Sequence, residues 1–236
     1  MHAQNQKSKT LALFDFDGTL YLHDSFTGFI FHALRKRHIV KRGMQILPWI
    51  QAYYLNFYPA HRMRPKLYAS MFKNSDAEEI LQLAQDYAQQ LIFKLNPKLL
   101  EQLKQHQQLG HEVVLVSASL DLYLKPVCSY LNIDLICSEV EIKAGKLTGL
   151  YQTPDCSNIQ KKIRILEKYN LDNYAEIYAY GNSEEDEEML SLAHQRYLEG
   201  RDKQLPKINI SAHSMPYKSF PFYRVNQLNA FKQRYK

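Results

Sequence analysis

With 236 residues, 45% of them hydrophobic, the chain is long enough to bury a full core, as one large domain or as a domain carrying an insertion. No apolar run approaches the roughly 18 residues that span a bilayer, and the polar opening MHAQNQKSKT lacks the apolar centre of a signal peptide, so a cytoplasmic location is expected. The three cysteines, Cys128, Cys137 and Cys156, are odd in number and lack the close spacing of a zinc site, which leaves reduced thiols as the expectation.

The net charge of +6 is unevenly spread. Residues 25–75 hold nine Lys or Arg and no acid, residues 76–200 hold eleven Lys or Arg against twenty Asp or Glu, and residues 201–236 hold eight against one. Such basic stretches attract an anionic ligand or membrane surface, or simply form solvated faces that balance the acidic middle.

In chain order, the first element is LALFDFDGTL, residues 11–20, an apolar run that reads as a strand buried on both faces. It ends in Asp15, Phe16, Asp17 and Gly18, two carboxylates at a strand tip, where a parallel sheet puts its ligand site. Burying both without counter-charge is costly, so a cation is expected there, and oxygen ligands facing an anionic substrate favour Mg²⁺. Residues 21–95 show no convincing strand. SFTGFIFHALRKR has the i, i+3, i+4, i+7, i+8 stripe of an amphipathic helix, and GMQILPWIQAYYLNFY, RMRPKLYASMF and AEEILQLAQDYAQQLIF also read as helical, the last opened by caps at Ser75 or Asp76. Within this stretch RKRHIVKR stands beside Trp49, Tyr53, Tyr54, Phe57 and Tyr58, a mixture that suits a lipid interface or an insert whose aromatics pack inward.

After Pro97, PKLLEQLKQHQQLG is a helix stopped by Gly110, and HEVVLVSAS is a second apolar strand whose tip carries Ser117, Ala118 and Ser119. Ser117 reads from pattern alone as either a site residue or a helix N-cap. DLYLKPVCSYLN is helical, and SEVEIKAGKLTGLYQ is a hairpin turning at Ala144 and Gly145. DCSNIQKKIRILEKYN is a helix with Lys161 and Lys162 in its first turn, and AEIYAYGNSEEDEEML is a third strand that breaks at Gly181 into Asn182, Ser183 and an acidic helix start. The final SFPFYRVNQLNAFKQRYK reads as an irregular basic extension folded onto the core or as a surface-binding tail.

DFDGT, the Ser117 strand tip, the early-helix lysine and the Gly-Asn turn occur in order over roughly residues 10–200. In this they resemble the four motifs of the haloacid dehalogenase superfamily, closest to its phosphoserine-phosphatase-like branch. That resemblance implies an α/β fold: a three-layer Rossmann-like core with a mostly parallel sheet and an inserted small helical cap. The domains expected are residues 1–20 and 96–200 as catalytic core, 21–95 as cap and 201–236 as basic extension. It also implies Asp15 as nucleophile, Asp17 as acid and then base, and Ser117, Ala118 and Lys161 as phosphate-binding residues. Asp15, Asp17, Asn182 and Asp186 are then expected around Mg²⁺. Lys161 is selected over Lys162 because related sequences place this lysine five residues after a Cys, here Cys156; helical spacing alone allows either. Asn182 departs from the family pattern, which has an acid there, and a neutral amide gives up one unit of charge at the metal. Asp24, nine residues after Asp15, matches the acid that holds the amino group of phosphoserine, or else caps the following helix. Arg62 or Arg64 is expected to meet a substrate carboxylate or phosphate.

The function this implies is a Mg²⁺-dependent phosphatase that acts on a small phosphorylated metabolite through an aspartyl-phosphate. A phosphatidylglycerophosphate- or lysophospholipid-type phosphatase in peripheral contact with an anionic membrane is the alternative, as is a phospho-ligand-binding protein with little turnover. No nucleic-acid partner is expected, and the pattern is silent on oligomeric state.

Overall fold

The computed structural model describes residues 9–37, 51 and 60–208. Its centre is a five-stranded parallel sheet in the order β3-β2-β1-β6-β7. The strands are β1 (Lys9–Phe14), β2 (Glu112–Leu120), β3 (Asp134–Ser138), β6 (Tyr174–Gly181) and β7 (Gln195–Leu198). β1 is central because it is apolar on both faces. Leu11, Leu13, Val114, Val116, Ile177 and Ala179 fill one side, and Ala12, Phe14, Leu115, Tyr178 and Tyr180 fill the other. The pairing of Phe14 with Leu115 on one flank and Tyr180 on the other brings the C-terminal tips of β1, β2 and β6 together. The strand order reverses direction at β1, so these three tips flank the crevice where open α/β sheets hold ligands.

The aliphatic face is covered by α6 (Ile159–Lys168) and α7 (Glu187–Leu190) through Ile165, Met189 and Leu190. The other face meets α4 (Pro97–Gln108) and α5 (Asp121–Leu131). Here a polar group is buried among aromatic rings: His106 is fully buried, with Nδ1 2.8 Å from His111 Nδ1 and Nε2 2.8 Å from the Tyr180 hydroxyl. Burial, reinforced by His111, pushes the His106 pKa down to about 3.

Between β1 and α4 lie α1 (Ser25–Arg37), α2 (Ala60–Phe72) and α3 (Ala77–Ile92). Asp76 caps α3 by accepting from the Glu79 N–H at 3.0 Å. The chain leaves and rejoins the core at one point, where the Asn96 N–H donates to the Leu20 carbonyl at 2.8 Å and the Asn96 side-chain amide donates to the Thr19 carbonyl at 3.3 Å. Asn96 also caps α4, ahead of a proline at its first turn.

The hairpin of β4 (Val140–Lys143) and β5 (Lys146–Tyr151) turns through Ala144 and Gly145, both at positive φ. Sequence assigns it to the core, yet it is stitched to the α2–α3 corner: Asn74 N–H donates to Leu147 O at 2.8 Å, and Leu147 N–H to Ser75 O at 3.0 Å. The aromatic helix expected over residues 43–58, the basic run from residue 38 and the extension from residue 209 lie outside the described residues, Gln51 apart. So do the lipid-interface readings that rest on them. No helix among the described residues is long and apolar enough to cross a membrane.

Candidate active site

Asp15 follows the last residue of β1, and its N–H donates to the Tyr180 carbonyl at 2.9 Å, continuing the sheet by one bond. Its side chain is buried. Oδ1 accepts from Lys161 Nζ at 2.6 Å and Oδ2 from Thr19 Oγ1 at 2.9 Å. The same Lys161 ammonium reaches Asp186 Oδ1 at 2.5 Å, so one buried cation lies between two buried carboxylates. Lys162, one residue on, turns outward to Glu188 at 3.0 Å. Lys161 shares a helix face with buried Ile165, four residues later.

Asp186 uses its second oxygen to organise the turn after β6. Oδ2 accepts from the backbone N–H groups of Asn182 and Ser183 at 2.9 and 3.1 Å and from Ser183 Oγ at 3.3 Å. Both Asp186 oxygens are therefore occupied by protein donors. The turn is tight: a Cβ on Gly181 would lie 2.7 Å from Asp186 Cβ. Gly18, at φ +78°, allows a similar approach, since a Cβ there would lie 2.0 Å from Asn182 Nδ2. Asn182 is thereby held against the Asp15–Thr19 loop, with Oδ1 3.5 Å from Thr19 Oγ1.

Asp17 points toward β2 and α1. Oδ1 accepts from the Ser25 N–H at 2.6 Å, at the start of α1, and Oδ2 from Ser119 Oγ at 2.5 Å. Ser119, two residues beyond Ser117, is the serine that touches an acid. Ser117 lies within β2, not at the N-cap of α5, which is Leu120, and its hydroxyl accepts from the Ser119 N–H at 3.1 Å. Asp24 takes up the α1 cap through the Thr27 N–H and Oγ1 at 3.0 and 2.7 Å, and it also lines the cavity. Arg62 is exposed and is not part of the cavity wall. Arg64 is: it reaches down from α2 with Nε and Nη2 each 2.8 Å from an oxygen of Asp155, and Nη2 3.2 Å from Glu185. Asp155 is 91 residues from Arg64, and no sequence pattern joins the two.

These groups surround a cavity of about 450 Å³, with Asp15, Asp17, Ser117, Ala118, Lys161 and Asn182 at its floor. Burial and the neighbouring Asp186 raise the Asp15 pKa to about 7 against the pull of Lys161. Burial and Asp24 raise that of Asp17 to about 6, opposed by the hydrogen bonds from Ser119 and Ser25. At Asp186 burial also pushes upward, but Lys161 and the Asn182 and Ser183 N–H groups outweigh it and hold the carboxyl below its usual range. Burial alone would lower Lys161, but the two carboxylates keep it charged.

Asp15 and Asp186 share the Lys161 ammonium, and Asp17, held by Ser25 and Ser119, adds a third carboxylate to the same cavity, an anionic excess that suits a cation. Among the described residues no three His, Cys, Asp or Glu side chains are grouped closely enough to hold a metal by themselves. The Asn182 side chain lines the same cavity as Asp15 and Asp17, and an all-oxygen set of this kind would fit Mg²⁺.

Residues 12–191 match the family model of haloacid dehalogenase-like hydrolases. Protein CicA of Caulobacter vibrioides is 28% identical over 197 residues, covering 79% of this chain and 84% of that protein. The histidinol-phosphatase of Neisseria meningitidis serogroup C is 25% identical over 216 residues, covering 84% and 94%. Among solved structures, a probable phosphoserine phosphatase from Vibrio cholerae in unliganded form superposes with a TM-score of 0.60 at 17% identity, over 82% of this chain and 57% of that one.

Proposed function

The chain belongs to the haloacid dehalogenase-like hydrolase family, and from that premise we propose that it is a Mg²⁺-dependent phosphomonoesterase acting on a small phosphorylated metabolite. The observation that carries this reading is the meeting of Asp15, Asp17, Ser117 and Lys161, from three separate segments, in one cavity. Asp15 Oδ attacks phosphorus and the bond to the leaving oxygen breaks, which divides one difficult hydrolysis into two displacements. Asp17 donates its proton to that oxygen, and a pKa raised to about 6 keeps a protonated fraction near neutral pH. The deprotonated Asp17 then takes a proton from the water that attacks the aspartyl-phosphate, releasing phosphate and restoring Asp15.

The Ser117 hydroxyl, the Ala118 N–H and the Lys161 ammonium hold the equatorial oxygens as charge develops on them. Ser119 and the Ser25 N–H orient Asp17 between its two roles. Asp15, Asp17 and the Asn182 amide would hold Mg²⁺, with Asp186 fixing Lys161 and the Asn182 turn rather than binding directly. Bound there, Mg²⁺ supplies electrophilic activation of the phosphoryl group and offsets repulsion between anions.

The test is hydrolysis of p-nitrophenyl phosphate with Mg²⁺ and with EDTA, beside Asp15→Asn. Metal-dependent release that Asp15→Asn abolishes is expected. Release that survives the substitution would remove Asp15 as nucleophile, and no release of any phosphomonoester would leave a phospho-ligand-binding protein. The names of its relatives suggest histidinol phosphate and phosphoserine as the first metabolites to screen, ahead of sugar phosphates, nucleotides and lysophospholipids.

A further inference from the structure

Asp17 stands at the end of a line of buried hydroxyl groups. Ser119 Oγ donates to Asp17 Oδ2 at 2.5 Å, Ser25 Oγ lies 3.3 Å from Ser119 Oγ, and the Tyr123 hydroxyl lies 3.1 Å from Ser25 Oγ. All three residues are buried. The line joins α1, β2 and α5, and its neighbours hold it in place. The Tyr123 ring packs against Phe29 and Tyr87, with centroids 5.1 and 5.4 Å away, and the Tyr87 hydroxyl donates to the Ser25 carbonyl at 3.0 Å.

Counting hydrogens gives the line a direction. Among the described residues the three hydroxyls carry three hydrogens and make three contacts, Tyr123 with Ser25, Ser25 with Ser119 and Ser119 with Asp17. Each contact receives one hydrogen only if the line runs from Tyr123 toward Asp17, with Oδ2 as its final acceptor. A fourth hydrogen, on the Oδ2 lone pair that faces Ser119, would reverse the line and strand the Tyr123 hydrogen in the core, where its desolvation goes uncompensated. The other oxygen is held by a donor that cannot turn, the Ser25 N–H, 2.6 Å from Oδ1.

Resting on the phosphatase reading, we infer that Tyr123 and Ser25 are positioning residues that act through Ser119, keeping the exchangeable proton of Asp17 off its protein side and on the lone pairs that face the cavity. In the first displacement that proton joins the leaving oxygen as the P–O bond breaks and its electron pair stays with that oxygen. The carboxylate left behind still accepts from Ser119 and from the Ser25 N–H. No hydroxyl has to turn between the acid and base roles of Asp17.

The first test uses leaving groups. The steps that kcat/KM reports end with departure of the alcohol; ethoxide needs a proton as it leaves, and p-nitrophenolate does not. With the full-length protein and Mg²⁺, Tyr123→Phe is expected to lower kcat/KM at least tenfold for ethyl phosphate and less than threefold for p-nitrophenyl phosphate. Losses that differ by less than threefold between the two substrates, the pattern of a merely structural residue, overturn the inference. Ser25→Ala keeps the N–H to Asp17 and removes the middle hydroxyl, so it should give the same split, and it takes the place of Tyr123→Phe if that variant does not fold.

The second test needs no turnover. In Asp17→Asn the amide oxygen must stay on the Ser25 N–H, which turns Nδ2 toward Ser119 and reverses the line. Urea unfolding of the wild type, Asp17→Asn, Tyr123→Phe and the double variant forms a cycle that isolates this effect. Asp17→Asn is expected to be at least tenfold less unfavourable, in the folding equilibrium constant, on the Tyr123→Phe background, where no phenol hydrogen is stranded. Additive effects overturn the inference. If the wild type hydrolyses no phosphomonoester, the phosphatase reading falls, and the cycle alone then decides whether the line is directed at Asp17.

Discussion

Among the described residues two cations, Lys161 and Arg64, are buried, each between a pair of carboxylates, and they differ in setting. Lys161 joins β1, α6 and the turn after β6, all within the core, and every acceptor around it is fixed by backbone or hydroxyl donors. Arg64 instead comes from a helix inserted between β1 and α4 and meets two loop acids, one of them about a third exposed. The inner cluster is a rigid floor shared by any substrate. The outer one is a contact between the insert and the core, where side-chain chemistry can change without disturbing the sheet. Buried ion pairs contribute little net stability but are costly to break, so the two should respond unequally to loss of one partner.

The largest effect is expected at the floor. Lys161→Met leaves Asp15 and Asp186 facing each other and should lower kcat/KM for p-nitrophenyl phosphate by roughly a thousandfold, with a stability loss of roughly 3–5 kcal/mol in urea unfolding. A third buried polar cluster, around His106, tests whether the floor is special among the buried groups. The His106 pKa of about 3 lies below the ordinary value near 6.5. Between those values the unfolded chain binds more protons, so stability is fully present above pH 7 and falls on acidification. A loss of up to roughly 3 kcal/mol between pH 6.5 and 4 is expected from this residue, and His106→Gln should flatten that part of the urea-derived profile.

Asp155→Asn should cost less than Lys161→Met, roughly 2 kcal/mol, because Arg64 keeps Glu185 and an amide oxygen. A cost equal to that at Lys161 would erase the distinction between floor and wall. The smallest change sharpens it: Asn182→Asp adds a charge beside Asp15 and should lower the Mg²⁺ concentration for half-maximal activity about tenfold, or about 1.4 kcal/mol, measured by metal titration.

Much of the core was legible in the sequence because β1, β2 and β6 are apolar runs that stop at small polar residues, and hydrophobic periodicity reports both facts. The parallel fold followed from three such strands separated by helices. β7 was not read, since QRYL is four residues long with two charged or polar positions exposed at the sheet edge. Lys161 and Lys162 could not be separated by spacing alone, although buried Ile165 and half-exposed Leu166 mark their respective helix faces. Arg64 with Asp155, and Ser119 with Asp17, are pairings made by tertiary packing across 91 and 102 residues. Local pattern carries no trace of them. Ser117 and Ser119, two residues apart, would share a face in a regular strand; the register shift between Ser117 and Leu120 sets them apart, and alternation does not predict it.

The stitch between Leu20 and Asn96 makes the seventy-five residues between them a closed excursion that starts and finishes at one hydrogen-bonded point. Length added inside such an excursion costs little closure entropy and moves neither β1 nor α4. The fold thus separates what evolution, or an engineer, can exchange from what must stay. A different insert grafted between Leu20 and Asn96 would keep the chemistry at the strand tips, provided that it still offers Asp17 a backbone N–H where Ser25 now stands, while meeting a new set of alcohols.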